Sequence, residues 1–263
     1  MNHHFSTKII TIVNQKGGVG KTTTSVNLAT AIATTNKRTL LIDLDPQGNA
    51  TTAMGLDYHQ RSNSVYGVII KKIGIEESIR KTIIPKLDLI PSKVDLSAAE
   101  LEVVNTRRWQ HILHDAILCI IDNYDYIFID CPPSLGLLTI NALVAASLLI
   151  IPMQCEFFAL EGLSHLLKTI SLVKQNLNPA LEIDGVLLSM YDRRNKLCEQ
   201  VEMDVRSNLD NLVYQTIIPR NVKLSEASSH GKPAIIHDMH CAGSQAYILL
   251  AKEILSKHQE IIA

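Results

Sequence analysis

The chain is poor in aromatic residues, in net charge and in any cysteine pattern. Phe, Trp and Tyr make up 5% of its 263 residues, so aliphatic side chains must fill the core. Twenty-five Lys and Arg stand against 26 Asp and Glu, a formal net charge of −1, so any affinity for nucleic acid has to come from a local patch. The cysteines, Cys119, Cys131, Cys155, Cys198 and Cys241, are odd in number and show neither CxxC nor Cys/His zinc spacing. This excludes a disulfide-stapled scaffold and points to buried, reduced thiols in a cytoplasmic protein. A charged-then-apolar leader is missing, because the apolar run from Lys8 to Val13 is too short and leads straight into a glycine-rich motif. Ser/Gly/Pro-rich linkers and repeats are also missing, which predicts one domain over residues 1–263. The uncharged stretch from Cys131 to Cys155 is long enough to mimic a membrane span, but Pro132, Pro133, Gly136, Asn141, Pro152 and Gln154 divide it into loop, helix and strand.

What is present is an aliphatic α/β pattern, with 46% hydrophobic against 19% charged residues. Lys8–Val13, Arg38–Leu44, Leu87–Ile90, Tyr126–Asp130, Ser147–Pro152, Ile183–Met190 and Val213–Pro219 read as strands. Several are continuously apolar, as strands covered on both faces should be. Helical patterns run over Thr22–Thr35, from about Ala98 to Ile121, and from Leu160 to Asn176, the last ending before Asn178-Pro179. Strand–helix alternation predicts a mostly parallel, twisted sheet with helices on both faces.

The sharpest signal is Gly17-Gly18-Val19-Gly20-Lys21-Thr22-Thr23, directly after the first strand and opening the first long helix. In register, the P-loop pattern asks for glycine where this chain has Gln15. The chemistry survives that change. Glycines let successive N–H groups turn toward phosphate oxygens, and the helix N-terminus adds positive potential. Lys21 offers a point charge to the β- and γ-phosphates, and the Thr22 hydroxyl suits Mg²⁺. Asp130 ends an apolar strand, where a P-loop ATPase holds an aspartate near Mg²⁺. Asp43 and Asp45 end the second strand, and alternation puts both on one face of it. Carboxylates at strand C-termini beside a phosphate loop mark the crevice where such sheets bind ligands.

Five segments, in order, resemble the ParA/Soj branch of the deviant-Walker partitioning ATPases. They are Lys-Gly-Gly-Val-Gly-Lys-Thr-Thr-Thr from Lys16, Asp-Leu-Asp-Pro-Gln-Gly-Asn-Ala-Thr from Asp43, Asp-Cys-Pro-Pro-Ser from Asp130, Gln-Cys-Glu-Phe-Phe-Ala-Leu-Glu-Gly from Gln154, and Ile-Pro-Arg-Asn-Val-Lys-Leu-Ser-Glu-Ala from Ile218. The resemblance implies a P-loop ATPase fold and an ATP- and Mg²⁺-dependent switch for chromosome or plasmid partitioning. It implies ATP contacts along Lys16, Gly17, Gly18, Val19, Gly20, Lys21, Thr22 and Thr23, with a purine pocket at Met190, Pro219, Arg220 and Asn221. Lys16 resembles the signature lysine that reaches across a homodimer to the partner's ATP, beside Lys21. Asp45 resembles the residue that orients the attacking water. Thr22 would touch Mg²⁺ directly, and Asp43 and Asp130 through water. Gly17 and Glu156 fall at the implied dimer seam.

The implied partners are a second copy when ATP is bound, sequence-nonspecific double-stranded DNA on the nucleoid, and a ParB-like centromere-binding protein that stimulates hydrolysis. The first strand begins so early that no N-terminal helix-turn-helix domain is expected. Arg194 and Lys223 occupy the family's DNA-binding positions, with Arg193 and Lys196 nearby, and the two loops carrying them leave one edge of the sheet. Two stretches depart from the family pattern: Ser228 stands where Ala-Pro is usual, and Asp238-Met-His-Cys-Ala-Gly replaces a commonly basic run. A MinD-like membrane-cycling ATPase shares the motifs but would need a basic amphipathic tail, whereas Lys252 and Lys257 here alternate with Glu253 and Glu260. A packed helix without stable membrane association is the expectation. A cluster-binding enzyme of the nitrogenase iron-protein or Mrp type would need cluster cysteines, for which only Cys131 and Cys155 offer themselves.

Overall fold

Alternating apolar residues send each strand's side chains to two covered faces. The computed structural model describes residues 7–260 and holds seven strands: β1 (Lys8–Ile12), β2 (Thr39–Asp43), β3 (Arg80–Lys81), β4 (Leu87–Ile90), β5 (Tyr126–Asp130), β6 (Leu148–Gln154) and β7 (Glu182–Ser189). They form one sheet in the order β3-β4-β2-β5-β1-β6-β7, parallel except for the antiparallel edge strand β3. Ile10 and Ile12 of β1, with Phe128 of β5, meet the helix Lys21–Thr34 and the C-terminal helix Ala242–Glu260. Ile9, Ile127 and Ile129 point the other way, onto helices that include Leu96–Val103, Ile112–Leu118 and Leu137–Ala145. A third apolar cluster lies between β6, β7 and the helices Ala159–Asn176 and Lys196–Leu209.

This is the doubly wound α/β arrangement expected from the strand–helix alternation. Three local expectations differ from it. Val213–Pro219 is not a strand: it touches β7's end of the sheet only through isolated bridges at Val213 and Pro219. Between the two bridges the amides of Gln215 and Thr216 donate to the Glu253 carboxylate of the C-terminal helix, at 2.7 and 2.9 Å, and not to a neighbouring strand. The span from Ala98 to Ile121 is not one helix. It breaks after Val103, and Arg108 takes a left-handed φ of 59° before a short 3-10 turn at Trp109–His111 and the helix Ile112–Leu118. Finally, β2 ends at Asp43, so Asp45 belongs to the following loop and not to the strand face.

The C-terminal helix is held by core packing: Tyr247, Leu250, Ala251 and Ile254 are buried in the cluster around the first helix. The side chain of Glu260 and residues 261–263 lie outside the described residues. Among the described residues no helix is long and apolar enough to cross a membrane.

Candidate nucleotide site

The glycine-rich loop joins the C-terminal end of β1, flanked by β5 and β6, to the helix Lys21–Thr34. Gly18 and Gly20 adopt φ of 76° and 86°, where a side chain would be strained, and Gly20 caps the helix in that conformation. The loop's far wall is tied down by side chains the motif does not contain. Ser189 donates to the carbonyl of Val19 at 2.8 Å, and the Gln154 amide donates to the carbonyl of Gly18 at 3.1 Å. Lys21 is buried, and its ammonium donates to the carbonyl of Lys16 at 2.9 Å. Burial lowers its pKa, against the opposing charges of Asp130, Cys131 and Asp45. Lys16 is half-exposed and forms an ion pair with Glu156 of its own chain.

The carboxylates converge on this loop from neighbouring strands. Asp43 and Asp130 are register partners at the ends of β2 and β5, and both are fully buried. Asp130 accepts from the Ser25 hydroxyl at 2.8 Å through one oxygen, while its Oδ2 has no hydrogen-bond partner among the described residues. Its pKa is pushed up by burial and by the charge of Asp43, with the hydroxyls of Ser25 and Thr22 opposing. Asp43 is also raised, by burial above all, although it accepts from the Thr51 hydroxyl and amide. A buried carboxylate pair with one unpartnered oxygen, beside a threonine hydroxyl on a helix N-terminus, is a donor set suited to a hard divalent cation. Asp45 is buried in its loop, where its carboxylate accepts from the Gln47 amide at 2.9 Å. Ser25 lies outside the quoted motifs, and Thr51 closes the segment from Asp43 without having been given a role. Ser25 could have been found from spacing alone, since it lies one helical turn beyond Lys21.

Next to the loop opens a cavity of about 520 Å³, walled by Gly20, Thr23, Met190, Pro219, Arg220 and Asn221 among others. All four residues proposed for the purine pocket therefore lie together. Met190 holds a φ of 51°, which turns the chain out of β7 and over the cavity, and Asn221 caps the helix Val222–Ser229 through its side chain. Glu156, Cys155 and Cys198 line the same space, and Tyr247 of the C-terminal helix meets Thr24 at 3.1 Å. Cys131 is buried in the core.

The basic loops do converge. Arg193, Arg194, Pro219 and Arg220 border one groove, stitched by the Arg220 amide donating to the carbonyl of Tyr191 at 3.0 Å. Arg220 thus stands between this groove and the nucleotide cavity. Arg194 is exposed and grips Asp192 through two hydrogen bonds of 2.8 and 2.9 Å, while Lys223 pairs with Glu226 at 2.8 Å. Lys196, which opens the helix Lys196–Leu209, and Lys223, in the first turn of the helix Val222–Ser229, do not border the groove.

A family profile described as an AAA domain matches residues 7–183. The chain is 51% identical over 255 residues to the "Chromosome partitioning protein ParA" of Caulobacter vibrioides, covering 96% of each protein. It is 51% identical over 247 residues to the "Sporulation initiation inhibitor protein Soj" of Bacillus subtilis, covering 94% of this chain and 98% of the relative. Among solved structures, a Mycobacterium smegmatis protein described as cobyrinic acid a,c-diamide synthase, with bound ADP and magnesium, superposes with a TM-score of 0.83 at 34% identity, covering 95% of this chain and 94% of the other. With half its residues identical to both partitioning proteins over almost its whole length, the chain belongs to the ParA/Soj family of P-loop partitioning ATPases.

Proposed function

We propose that this chain is an ATP-driven switch for DNA partitioning, which dimerises around ATP, binds DNA without regard to base sequence, and is released when a ParB-like partner stimulates hydrolysis. The observation that carries the reading is the buried Lys21 at a helix N-terminus beside the unpartnered oxygen of Asp130, with a cavity of about 520 Å³ adjoining. In this reading the amides from Gly17 to Thr23 cradle the phosphates, Lys21 neutralises charge on them, and Asp45 orients the attacking water. Thr22, Asp130 and Asp43 would hold Mg²⁺, which when bound offsets charge on the phosphate oxygens. Magnesium and ADP in the M. smegmatis neighbour support that assignment.

Lys16 must leave Glu156 to act on a second copy's nucleotide, and an exposed pair of this kind is worth little, so ATP can displace it. Gly17 offers a test of the seam. A Cβ built there meets nothing within 4 Å, so Gly17→Val should fold and bind ATP as the wild type does, yet fail to dimerise. An ATP-dependent dimer of Gly17→Val in light scattering would move the seam elsewhere.

DNA binding is tested by gel shift with and without ATP. Phosphates would compete with Asp192 for Arg194 and with Glu226 for Lys223, both exposed ion pairs. Wild-type protein should shift any duplex only with ATP, more weakly as salt rises, because phosphate contacts release counterions. Arg194→Ala with Lys223→Ala should keep ATP-dependent dimerisation while weakening the shift and flattening its salt slope. Equal affinity of the double variant at several salt concentrations would remove DNA binding from these loops.

A further inference from the structure

We propose that Thr51 is a positioning residue for hydrolysis: its buried hydroxyl clamps the Asp43 carboxylate and so sets the loop that carries Asp45. The proposal rests on the ATPase reading of this site.

A threonine hydroxyl has one proton to give and lone pairs to receive. The Thr51 hydroxyl uses both capacities in a fully buried position. It donates to Asp43 Oδ2 at 2.6 Å and accepts from the Ser92 amide at 2.9 Å. The Thr51 amide donates to the same Asp43 oxygen at 2.7 Å, and the Asp45 amide donates to Asp43 Oδ1 at 3.2 Å. Asp43 therefore holds both ends of the segment between Asp45 and Thr51. Within that segment the Gly48 amide closes on the carbonyl of Asp45 at 2.9 Å, and the Gln47 amide on its carboxylate. The result is a small closed loop hung from one carboxylate. Through Ser92 the same hydroxyl ties the loop to the chain leaving β4, the strand paired with β2.

A hydroxyl engaged this way does more than fill space. Replacing it with a methyl would strip the buried Asp43 carboxylate of its shortest hydrogen bond and leave the Ser92 amide without its acceptor. Both losses fall on atoms that fix Asp45 and the carboxylate beside Asp130. Packing alone would be indifferent to that exchange, because valine has nearly threonine's shape.

The test compares Thr51→Val with Thr51→Ser in three measurements: ATP hydrolysis, equilibrium binding of a fluorescent ATP analogue, and amide exchange in the nucleotide-free protein. Thr51→Val should lower kcat about 10- to 100-fold, as a small misplacement of a water-orienting group does. Its KM and analogue affinity should stay within about threefold of wild type, since phosphate binding is untouched. Exchange should accelerate at residues 44–51 and 92 and nowhere else. Thr51→Ser keeps the hydroxyl and should restore both kcat and protection. A Thr51→Ser protein as impaired as Thr51→Val would overturn the proposal in favour of methyl packing, and wild-type kcat in Thr51→Val would overturn it outright. Thr51→Ala deletes the hydroxyl without valine's bulk, and two hydroxyl deletions that both fail to fold would assign Thr51 to folding instead. A wild-type protein that hydrolyses no ATP would remove the function reading, while the exchange at residues 44–51 still reports on the clamp.

Discussion

The two ends of the sheet each bury an aspartate, and they treat it in opposite ways. At the C-terminal ends of β2 and β5, Asp43 and Asp130 stand side by side, and Oδ2 of Asp130 has no partner among the described residues. Near the N-terminal end of β7, Asp184 is also buried but well supplied. It accepts from the Tyr214 hydroxyl at 2.5 Å, lies 3.2 Å from the Lys257 ammonium, and meets His258 Nε2 at 3.3 Å. The other nitrogen of His258 meets the Tyr126 hydroxyl at 3.2 Å.

Burial pushes both carboxyls upward. At Asp184 the hydrogen bonds from His258 and Tyr214, with the charges of His258 and Lys257, outweigh it and leave the pKa lowered. At Asp130 the charge of Asp43 adds to burial, and two hydroxyls do not compensate. Burial alone therefore does not decide a carboxylate's state; its partners do. The Asp184 end is a completed tie between β7 and the C-terminal helix. The Asp130 end keeps one carboxylate oxygen without a hydrogen-bond partner among the described residues.

That contrast can be sharpened by experiment. The largest effect should come from Lys21→Ala, which removes the buried cation of the phosphate loop. ATP affinity should fall by about 100-fold or more, measured with a fluorescent analogue, because charge-assisted contacts to phosphate are lost. The melting of the C-terminal helix should be untouched.

Next, Asp184→Asn should destabilise the protein by about 2 kcal/mol in urea unfolding, since it weakens the buried hydrogen bonds that the carboxylate makes with Tyr214 and His258. ATP affinity should not change. The sign with pH follows from the lowered pKa of Asp184. Its contribution is fully present above the unfolded carboxyl value of about 3.9 and is lost as pH falls through the still lower folded value. The part of the stability gap between wild type and Asp184→Asn that the carboxylate charge carries should therefore be lost as pH falls below about 4. A gap that closes near neutral pH would show that another group carries the tie.

The smallest effect should have the opposite sign. Asp130→Asn removes an incompletely paired buried carboxylate, so the nucleotide-free protein should gain about 1 kcal/mol in the same urea assay. The extra stabilisation that Mg²⁺ adds to ATP should vanish. Equal destabilisation by Asp130→Asn and Asp184→Asn would mean that the two ends of the sheet are electrostatically alike.

How much of this was legible beforehand depended on the range of the interaction. The loop from Lys16 to Thr23 and the strand ending in Asp130 were readable because strand, glycines, lysine and helix follow one another in the chain, and each acts on its neighbour. The gathering of Met190, Pro219, Arg220 and Asn221 around one cavity came from the resemblance and holds in the structure. The strand expected at Val213–Pro219 is reduced to two isolated bridges, because Glu253, distant in sequence, takes the amides of Gln215 and Thr216 that a ladder would use. The single helix expected from Ala98 to Ile121 ends at Val103, and the chain passes through a left-handed Arg108 before helix resumes at Ile112.

By itself the sequence determined the alternating α/β architecture, the phosphate loop and the carboxylates at strand ends, since periodicity and short motifs are local properties of a chain. Only the tertiary structure decided which of those carboxylates would be satisfied. Thr51 meets Asp43 across eight positions, but Ser92 reaches Thr51 across 41, Ser25 reaches Asp130 across 105, and His258 reaches Asp184 across 74. Hydrogen bonds of that range form only once helices and loops have packed against the sheet, so which buried aspartate finds its partners is a property of the tertiary structure.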